Sequence, residues 1–337
     1  MYPLSVLDLS FTTTATAGAV ALHNTVALAR LVDGLGYRRF WVAEHHNLAS
    51  VASGAPEIMI GAIAAATHRI RVGSGGIMLP NHAPLMVAER FKVLEALYPG
   101  RIDLGIGRAP GTDPLTSMVL RRRQDVRADD DFLERFNELM LWKTGAFPQG
   151  HRFRNIRVMP EDVEVPPIWL LGSGVYSAEL AGRAGLGFAF AHHFASVEAD
   201  EALGLYRHCF EPSAWLERPH AILATAAVCA DSDAEAERLA STIDYNYVRR
   251  LTGEYRPLVS PDEALAYSYS AAEEQARVAN RARVFVGSPT TVRDRLGAFA
   301  TRAGADEIML TTAVFDHAAR LRSYSLLAEA FGLVPAG

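Results

Sequence analysis

Short apolar segments alternate along the chain with longer segments in which apolar residues recur every three or four positions. The apolar segments predict eight β-strands, at about residues 4–10, 40–43, 69–79, 101–107, 168–171, 188–191, 221–228 and 307–311. The segments with the longer period predict helices at about residues 23–36, 57–67, 84–97, 129–144, 177–184, 200–209, 234–247, 261–279 and 318–331. Strands that alternate with helices in this way form a parallel sheet.

Eight such repeats around one core predict an α/β fold, a (β/α)8 TIM-type barrel that residues 1–337 form as a single domain. An open, doubly wound sheet is the alternative, although it usually has fewer strands. Three segments are longer than a minimal barrel requires, at about residues 108–128, 145–165 and 231–306. Long insertions in a compact domain are usually lids or binding loops.

The composition narrows the class of protein. The 337-residue chain is 50% hydrophobic and carries a formal net charge of −5, with no basic segment that would indicate a nucleic-acid partner. No apolar run is long enough to span a membrane, and we expect no signal peptide. The two cysteines, Cys209 and Cys229, are expected to be reduced thiols rather than a disulfide or a metal site. These features predict a cytoplasmic enzyme that acts on a small molecule.

Three ionisable residues, Glu44, His45 and His46, follow the strand at 40–43 directly. The carboxyl end of a barrel strand is where catalytic residues lie. Side chains alternate faces along a strand, so Glu44 and His46 should point one way and His45 the other. This separation argues against a metal site, and the chain has no HExxH motif. His45 is therefore a candidate general acid or base, and a pair of hydrogen-bonded structural histidines is the alternative.

A cluster of glycines and serine interrupts the strand predicted at 69–79. Glycine weakens a strand interior, so Ser74, Gly75 and Gly76 indicate either a simple bulge or a backbone that a ligand approaches closely. A flat ring against the strand end would require this lack of side chains. A non-proline cis peptide is also compatible with the segment.

A second small-residue loop joins the strand at 168–171 to the next helix. Glycines, hydroxyls and a helix N-terminus together can bind a phosphate group. The candidate residues are Gly172, Ser173, Gly174, Tyr176 and Ser177. Arg108, just past the fourth strand, could pair with the same phosphate, with a surface salt bridge as the alternative. His193 follows the strand at 188–191 and is predicted to line the same pocket as His45.

Several segments together resemble the bacterial luciferase-like flavin monooxygenases. They are WVAEHHN, ASGAPEIMIGAIAAAT, HRIRVGSGGIMLPNHAPLMVAERFKVLEALYPGRIDLGIGRAPGTD, LLGSGVYSAELAGRAGLGFAFAHHF and VGSPTTVRDRLGAFATRAGADEIML. The similarity covers nearly the whole chain apart from parts of the insertions. It implies a β/α barrel that binds FMN or reduced FMN and uses O2 to oxidise a small organic substrate such as an aldehyde.

The resemblance also implies roles for individual residues. It assigns catalysis to His45, the small pair joined by a cis peptide to Gly75–Gly76, and phosphate contact to Arg108. The phosphate loop falls on Ser173 to Ser177, with a one-residue gap. The reactive cysteine on the fourth strand of luciferase is Gly107 here, so we do not expect light emission.

The resemblance further implies a separate flavin reductase as partner and a homodimer. Two alternatives stay open at this point. One is a deazaflavin (F420)-dependent oxidoreductase of the same fold, which transfers hydride without oxygen. The other is a flavin-binding protein without turnover, against which His45 and the full set of eight strands argue.

Overall fold

The computed structural model describes residues 2–122 and 131–335. Its strands are β1 (Leu4–Asp8), β2 (Arg39–Val42), β3 (Arg71–Ser74), β4 (Ile77–Met78), β5 (Ile102–Gly107), β6 (Ile168–Gly172), β7 (Gly187–Ala191), β8 (Ala221–Cys229), β9 (Val284–Gly287) and β10 (Glu307–Thr311). Its helices are α1 (Gly18–Gly34), α2 (Pro56–Ala66), α3 (Pro84–Leu97), α4 (Pro114–Arg121), α5 (Phe132–Thr144), α6 (Val175–Arg183), α7 (Ala199–His208), α8 (Asp233–Leu251), α9 (Pro261–Leu265), α10 (Ala271–Arg281), α11 (Pro289–Ala303) and α12 (His317–Ala330).

Eight parallel strands close into a barrel. Going round the ring, β1 pairs with β2, then β3, β5, β6, β7, β8 and β10 follow, and β10 pairs again with β1. The closing pair has Val6 opposite Leu310. The predicted TIM-type barrel is therefore confirmed, and the open-sheet alternative is wrong because neither β1 nor β10 lies at a sheet edge.

A polar cluster fills the amino end of the barrel. Nη1 of Arg39 donates to Asp103 Oδ2 at 2.7 Å, and Nε of the same guanidinium donates to Glu307 Oε1 at 3.0 Å. These residues lie at the starts of β2, β5 and β10. Trp41 and Trp169 pack edge to face in the next layer, with ring centroids 5.6 Å apart. Because this end is packed, the open end of the barrel is the one at the carboxyl ends of the strands.

The structure differs from the sequence-based prediction in several elements. The strand predicted at 69–79 is two strands, β3 and β4, because Gly75–Gly76 interrupts it. The helix predicted at 261–279 is likewise two helices, α9 and α10. Two helices, α4 and α11, were not predicted from the hydrophobic period, and threonine and glycine within α11 weaken its helical signal. The extra strand β9 pairs with the carboxyl half of β8, beyond the end of β7.

The three predicted insertions differ in character. Residues 145–165 contain no helix or strand, whereas residues 231–306 contain α8 to α11 and β9. The first insertion holds α4, but its residues 123–128 lie outside the described part of the chain, as do residues 129–130 of the helix predicted at 129–144. The division into one domain with three insertions stays a prediction. None of the helices in the described ranges is both long and apolar enough to cross a bilayer.

Candidate active site

The carboxylate of Glu44 is the centre of a hydrogen-bond network at the end of β2. Its side chain is fully buried. Oε1 accepts from His46 Nε2 at 2.9 Å and from Asn81 Nδ2 at 3.1 Å. Oε2 accepts from the Met78 backbone NH at 2.7 Å and from His82 Nε2 at 2.9 Å. Three of the four donors come from β4 and the segment after it, and they fix the loop after β2 to that part of the chain.

These donors keep Glu44 ionised. Burial alone would raise its pKa, but the hydrogen bond and charge of His82, the hydrogen bond of His46 and the Met78 NH outweigh that effect and lower the pKa below its ordinary value. A carboxylate only accepts hydrogen bonds, so both imidazoles donate through Nε2. Glu44 and His46 therefore point to the same side, as the alternation of side chains predicts.

His45 takes no hydrogen bond from this network. Its Nδ1 atom is buried, and no group among the described residues forms a hydrogen bond with it. Burial lowers the pKa of His45, the negative charge of Glu44 opposes the shift, and the positive charges of His46 and Arg250 add to it. The imidazole is therefore neutral at neutral pH. A neutral ring with an unpartnered nitrogen can accept a proton from a bound molecule, or return one to it.

Backbone without side chains lies beside Glu44. The Gly75–Gly76 peptide is cis, as the sequence allowed, and the Glu44 NH donates to the Gly76 carbonyl at 3.3 Å. A Cβ at Gly76 would lie 2.9 Å from the Gly105 carbonyl oxygen. The Ser74 hydroxyl does not face this surface. It is buried and bridges the backbone of Gly105, accepting from its NH at 2.9 Å and donating to its oxygen at 2.7 Å.

Gly107, at the end of β5, has a methionine beside it. A Cβ on Gly107 would lie 3.1 Å from the sulfur of Met78 and 3.2 Å from its methyl carbon. The space that a larger side chain at this position would need is therefore already occupied by Met78.

The loop from β6 to α6 has the features of a phosphate site. Helix α6 begins at Val175, and its N-cap residue, Gly174, has no side chain to cap the first turn. The amide groups of that turn can therefore bind an anion. A Cβ on Gly172 would overlap Ser177, so glycine is required for the loop to fold this tightly. The Arg108 guanidinium lies over the Tyr176 ring, 4.8 Å from its centroid, which brings a cation to the same helix end.

The two histidines that follow β7, His192 and His193, have different surroundings. Nδ1 of His193 donates to the carbonyl of Ala224 at 3.2 Å, which leaves Nε2 as the acceptor. Burial lowers the pKa of His193 to about 4, the hydrogen bond to Ala224 opposes the shift, and repulsion from His192, Arg250 and any protonated form of His45 adds to it. His193 thus lies within electrostatic reach of His45, whereas His192 lines a separate cavity.

Three residues of the Glu44 network, and Arg250 near the histidines, lay outside the predicted set. His82 and Asn81 reach Glu44 from the segment after β4, and Met78 contributes a backbone NH. Arg250 approaches from the end of α8, deep within the third insertion. The sequence signal for His82 and Asn81 was their place just past a strand end, but nothing local indicates Arg250. Among the described residues, no cluster of three or more His, Cys, Asp or Glu residues could hold a metal ion.

The described residues are compatible with a phosphorylated flavin. The backbone at Gly75–Gly76 carries no side chains, and the uncapped start of α6 with Arg108 offers an anion site. His45 has an unpartnered ring nitrogen at the same end of the barrel. Together these groups suit the ring and the phosphate of such a cofactor.

Comparison with known proteins places the chain in a family. The model for luciferase-like monooxygenases matches residues 3–307. The luciferase-like monooxygenase of Escherichia coli strain K12 is 42% identical over 322 residues, 96% of this chain and 95% of that protein. The N-acetyl-S-alkylcysteine monooxygenase of Bacillus subtilis strain 168 is 34% identical over 335 residues, 98% of each chain.

Solved structures agree with this assignment. The structure of apo-MsnO8 has a TM-score of 0.90 and 39% identity, with full coverage of both chains. The oxygenating constituent of 3,6-diketocamphane monooxygenase from Pseudomonas putida, solved with FMN, has a TM-score of 0.72 at 19% identity and covers 99% of each chain. An F420-dependent secondary alcohol dehydrogenase has a TM-score of 0.65 at 15% identity and covers 98% of each chain, so it shares the fold. The chain therefore belongs to the luciferase-like monooxygenase family.

Proposed function

We propose that this protein is an FMN-dependent monooxygenase that uses reduced FMN and O2 to oxidise a small organic substrate such as an aldehyde. The observation that carries the proposal is the pairing of Arg108 with the uncapped start of α6, at the same barrel end as His45. A phosphate-bearing cofactor explains both features. The names of relatives, which include a monooxygenase at 34% identity over 98% of the chain, support the reaction class.

The residues that would hold FMN fall into two groups. Gly75 and Gly76, positioned by Ser74, would face the ring, because side chains are absent there. Arg108 and the first amide groups of α6 would hold the phosphate, together with the loop residues Gly172, Ser173, Gly174, Tyr176 and Ser177. A charged contact of this kind contributes about 1.5–3 kcal/mol.

His45 would move a proton between its open imidazole nitrogen and the bound molecule. When bound, reduced FMN would supply the electrons for reaction with O2. His45 is neutral at neutral pH because burial lowers its pKa, so it accepts a proton without first losing one. Glu44 would hold the strand end that carries His45, and His193 would line the substrate side of the pocket. The proposal does not include light emission, because Gly107 has no thiol.

Titration of the apoprotein tests the cofactor. We expect saturable binding of reduced FMN, and NADH consumption only when a separate flavin reductase is added. The absorption spectrum and mass of any co-purified cofactor provide an independent check. Tight FMN binding with direct NADH oxidation would contradict the two-component part while leaving FMN as the cofactor.

The same titration separates the alternatives. An F420-dependent enzyme shares the fold, so deazaflavin must be titrated in parallel. Preference for deazaflavin, with hydride transfer in the absence of oxygen, would replace FMN in the proposal. Flavin binding without oxidation of any compound in a broad screen of aldehydes and aromatics would favour a binding protein without turnover.

We also propose a cytoplasmic homodimer. Exposed apolar side chains lie on three consecutive helices, α1, α2 and α3: Val20, Ile58, Met86, Val93 and Leu97. Such a face is typical of a protein–protein interface. Light scattering on the wild type and on Ile58→Glu tests the dimer. A monomeric wild type would refute it.

A further inference from the structure

A cavity lies outside the barrel, between the loop after β7 and the elements β9 and α11. Its volume is about 520 Å³, within the range of about 300–1,000 Å³ that is usual for small-molecule sites. The wall is both positively charged and aromatic. Its lining includes three arginines, two phenylalanines and a histidine: Arg283, Arg295, Arg302, Phe285, Phe299 and His192.

The three arginines of this cavity have no carboxylate partner among the described residues. By contrast, Arg277 and Arg281, from the same insertion, both pair with Asp244, at 3.2 Å and 2.7 Å. The chain as a whole is acidic, so carboxylates are not scarce. One acidic residue, Glu198, lines the cavity among the described residues, and it leaves an excess of positive charge.

Aromatic rings hold two of the guanidinium groups in place. Arg302 lies 5.0 Å from the centroid of Phe299, and Arg295 lies 6.0 Å from that of Phe285. The two rings are themselves 5.6 Å apart. Stacking of this kind fixes the plane of a guanidinium and leaves N–H groups along its edge to bind the oxygens of an anion. Arg295 uses one of its N–H groups for the Val286 carbonyl, at 3.4 Å, and the others remain for a ligand.

His192 adds an unpartnered polar atom to the same wall. Its side chain is only 8% exposed, and its ring lies 4.6 Å from Phe299. Its Nδ1 is buried and forms no hydrogen bond with any described residue. A buried nitrogen without a partner is costly unless a ligand or water satisfies it.

The loop of residues 192–198 separates this cavity from the proposed flavin site. The NH of Ser196 donates to the carbonyl of Ser173 at 3.3 Å, so the loop packs against the phosphate loop on one side. Ser196 and His192 line the cavity on the other side. His193 points towards the barrel, where its Nδ1 bonds to Ala224.

We infer that this cavity is a second ligand site, which binds the phosphate group of a small molecule. Arg283, Arg295 and Arg302 supply the positive charge, His192 supplies a further polar contact, and the two phenylalanine rings can cover an apolar part of the ligand. The ligand is either phosphate itself or a phosphate monoester. The site is independent of the flavin cradle and does not require the proposed monooxygenase activity.

Isothermal titration tests the inference with three probes: inorganic phosphate, phenyl phosphate and phenol. We expect saturable binding of the two phosphates and none of phenol. Tighter binding of phenyl phosphate than of phosphate identifies a monoester as the ligand, and equal binding identifies free phosphate. No saturable binding of either anion would overturn the inference.

Matched variants locate the binding. Arg295→Gln combined with Arg302→Gln should weaken phosphate binding at least about tenfold. Arg293→Gln removes the same charge from an exposed position of α11 that does not line the cavity, so it should leave binding unchanged. Equal loss in Arg293→Gln would refute the site. Thermal unfolding of each variant confirms that it is folded.

Discussion

Nε2 of His82 lies 2.9 Å from the buried Oε2 of Glu44, although the two residues are 38 positions apart in the chain. The bond joins the segment after β4 to the end of β2, next to His45. His46 makes the matching bond to Oε1. The carboxylate thus determines where the candidate catalytic histidine is held, without itself facing the open nitrogen of that histidine.

Glu44→Gln should destabilise the protein by about 2–3 kcal/mol. All four hydrogen bonds to the carboxylate come from donors, and the amide of glutamine presents one NH2 group in place of an acceptor oxygen. At least one donor would then face another donor in a buried site. Urea unfolding of the apoprotein measures the difference in free energy.

Glu57→Gln is the matched control for this change. Glu57 pairs with Arg90 at 2.7 Å, but the pair is partly exposed, with 19% and 39% of the two side chains accessible. We expect a loss of less than about 1 kcal/mol. If the two substitutions lowered the free energy of unfolding equally, the Glu44 network would contribute no more to stability than a partly exposed ion pair.

His193 should make the protein sensitive to mild acid. Its pKa is about 4 in the folded protein against an ordinary value of 6.5, so the unfolded chain takes up a proton first as the pH falls. The stability contributed by the neutral form is complete above about pH 6.5 and is lost towards pH 4, by at most about 1.4 kcal/mol per pH unit.

His193→Gln removes this titration and keeps a donor for Ala224. Its free energy of unfolding should fall less between pH 6.5 and pH 4 than that of the wild type. Urea unfolding at four or five pH values measures both slopes. Identical slopes would show that His193 is protonated as readily in the folded protein as in the unfolded chain.

Much of the barrel follows from local sequence. The apolar segments identified all eight barrel strands because each is buried on both faces, and the helices between them carry a clear period. The sequence also located His45, Gly76 and Arg108 at strand ends, since the carboxyl ends of parallel strands meet at one rim. The sequence did not predict β9 as a strand, because it is short and pairs with β8 beyond that rim.

The partners of these residues could not be predicted in the same way. Nothing near His82 indicates that it bonds to Glu44, and nothing near Arg250 places it close to His45. Such contacts depend on how loops from distant parts of the chain pack together. For Ser74 the local position was misleading. Its place at a strand end suggested contact with a ligand, but its hydroxyl bridges the backbone of Gly105.

Gly76→Ala should destabilise the protein by about 1–3 kcal/mol. The added methyl carbon would lie 2.9 Å from the Gly105 oxygen and 3.1 Å from its carbonyl carbon, and both are backbone atoms that cannot turn aside. Gly204→Ala, within α7, is the control. No atom lies within 4 Å of its added carbon, so it should be neutral or slightly stabilising. Thermal unfolding compares them, and equal melting temperatures would argue against the close approach.

Arg108→Gln should weaken FMN binding about tenfold or more but leave riboflavin binding nearly unchanged. Riboflavin has the same ring and lacks the phosphate, so the ratio of the two dissociation constants isolates the phosphate contact. Fluorescence titration measures both ligands. Arg152→Gln, at a distant exposed arginine that lies over Phe153, is the charge-matched control. Equal weakening of FMN and riboflavin would place the contact elsewhere on the flavin.

His45→Ala should preserve flavin binding and slow substrate oxidation at least about tenfold, the lower end for loss of a general acid or base. The open Nδ1 of His45 is the group that the substitution removes. His45→Gln keeps a polar side chain of similar length but cannot exchange a proton near neutral pH, so it should be as slow as His45→Ala. Steady-state assays with added reductase and O2 measure the rate, and FMN titration checks the site. Full activity of His45→Gln would reduce the role of His45 to hydrogen bonding.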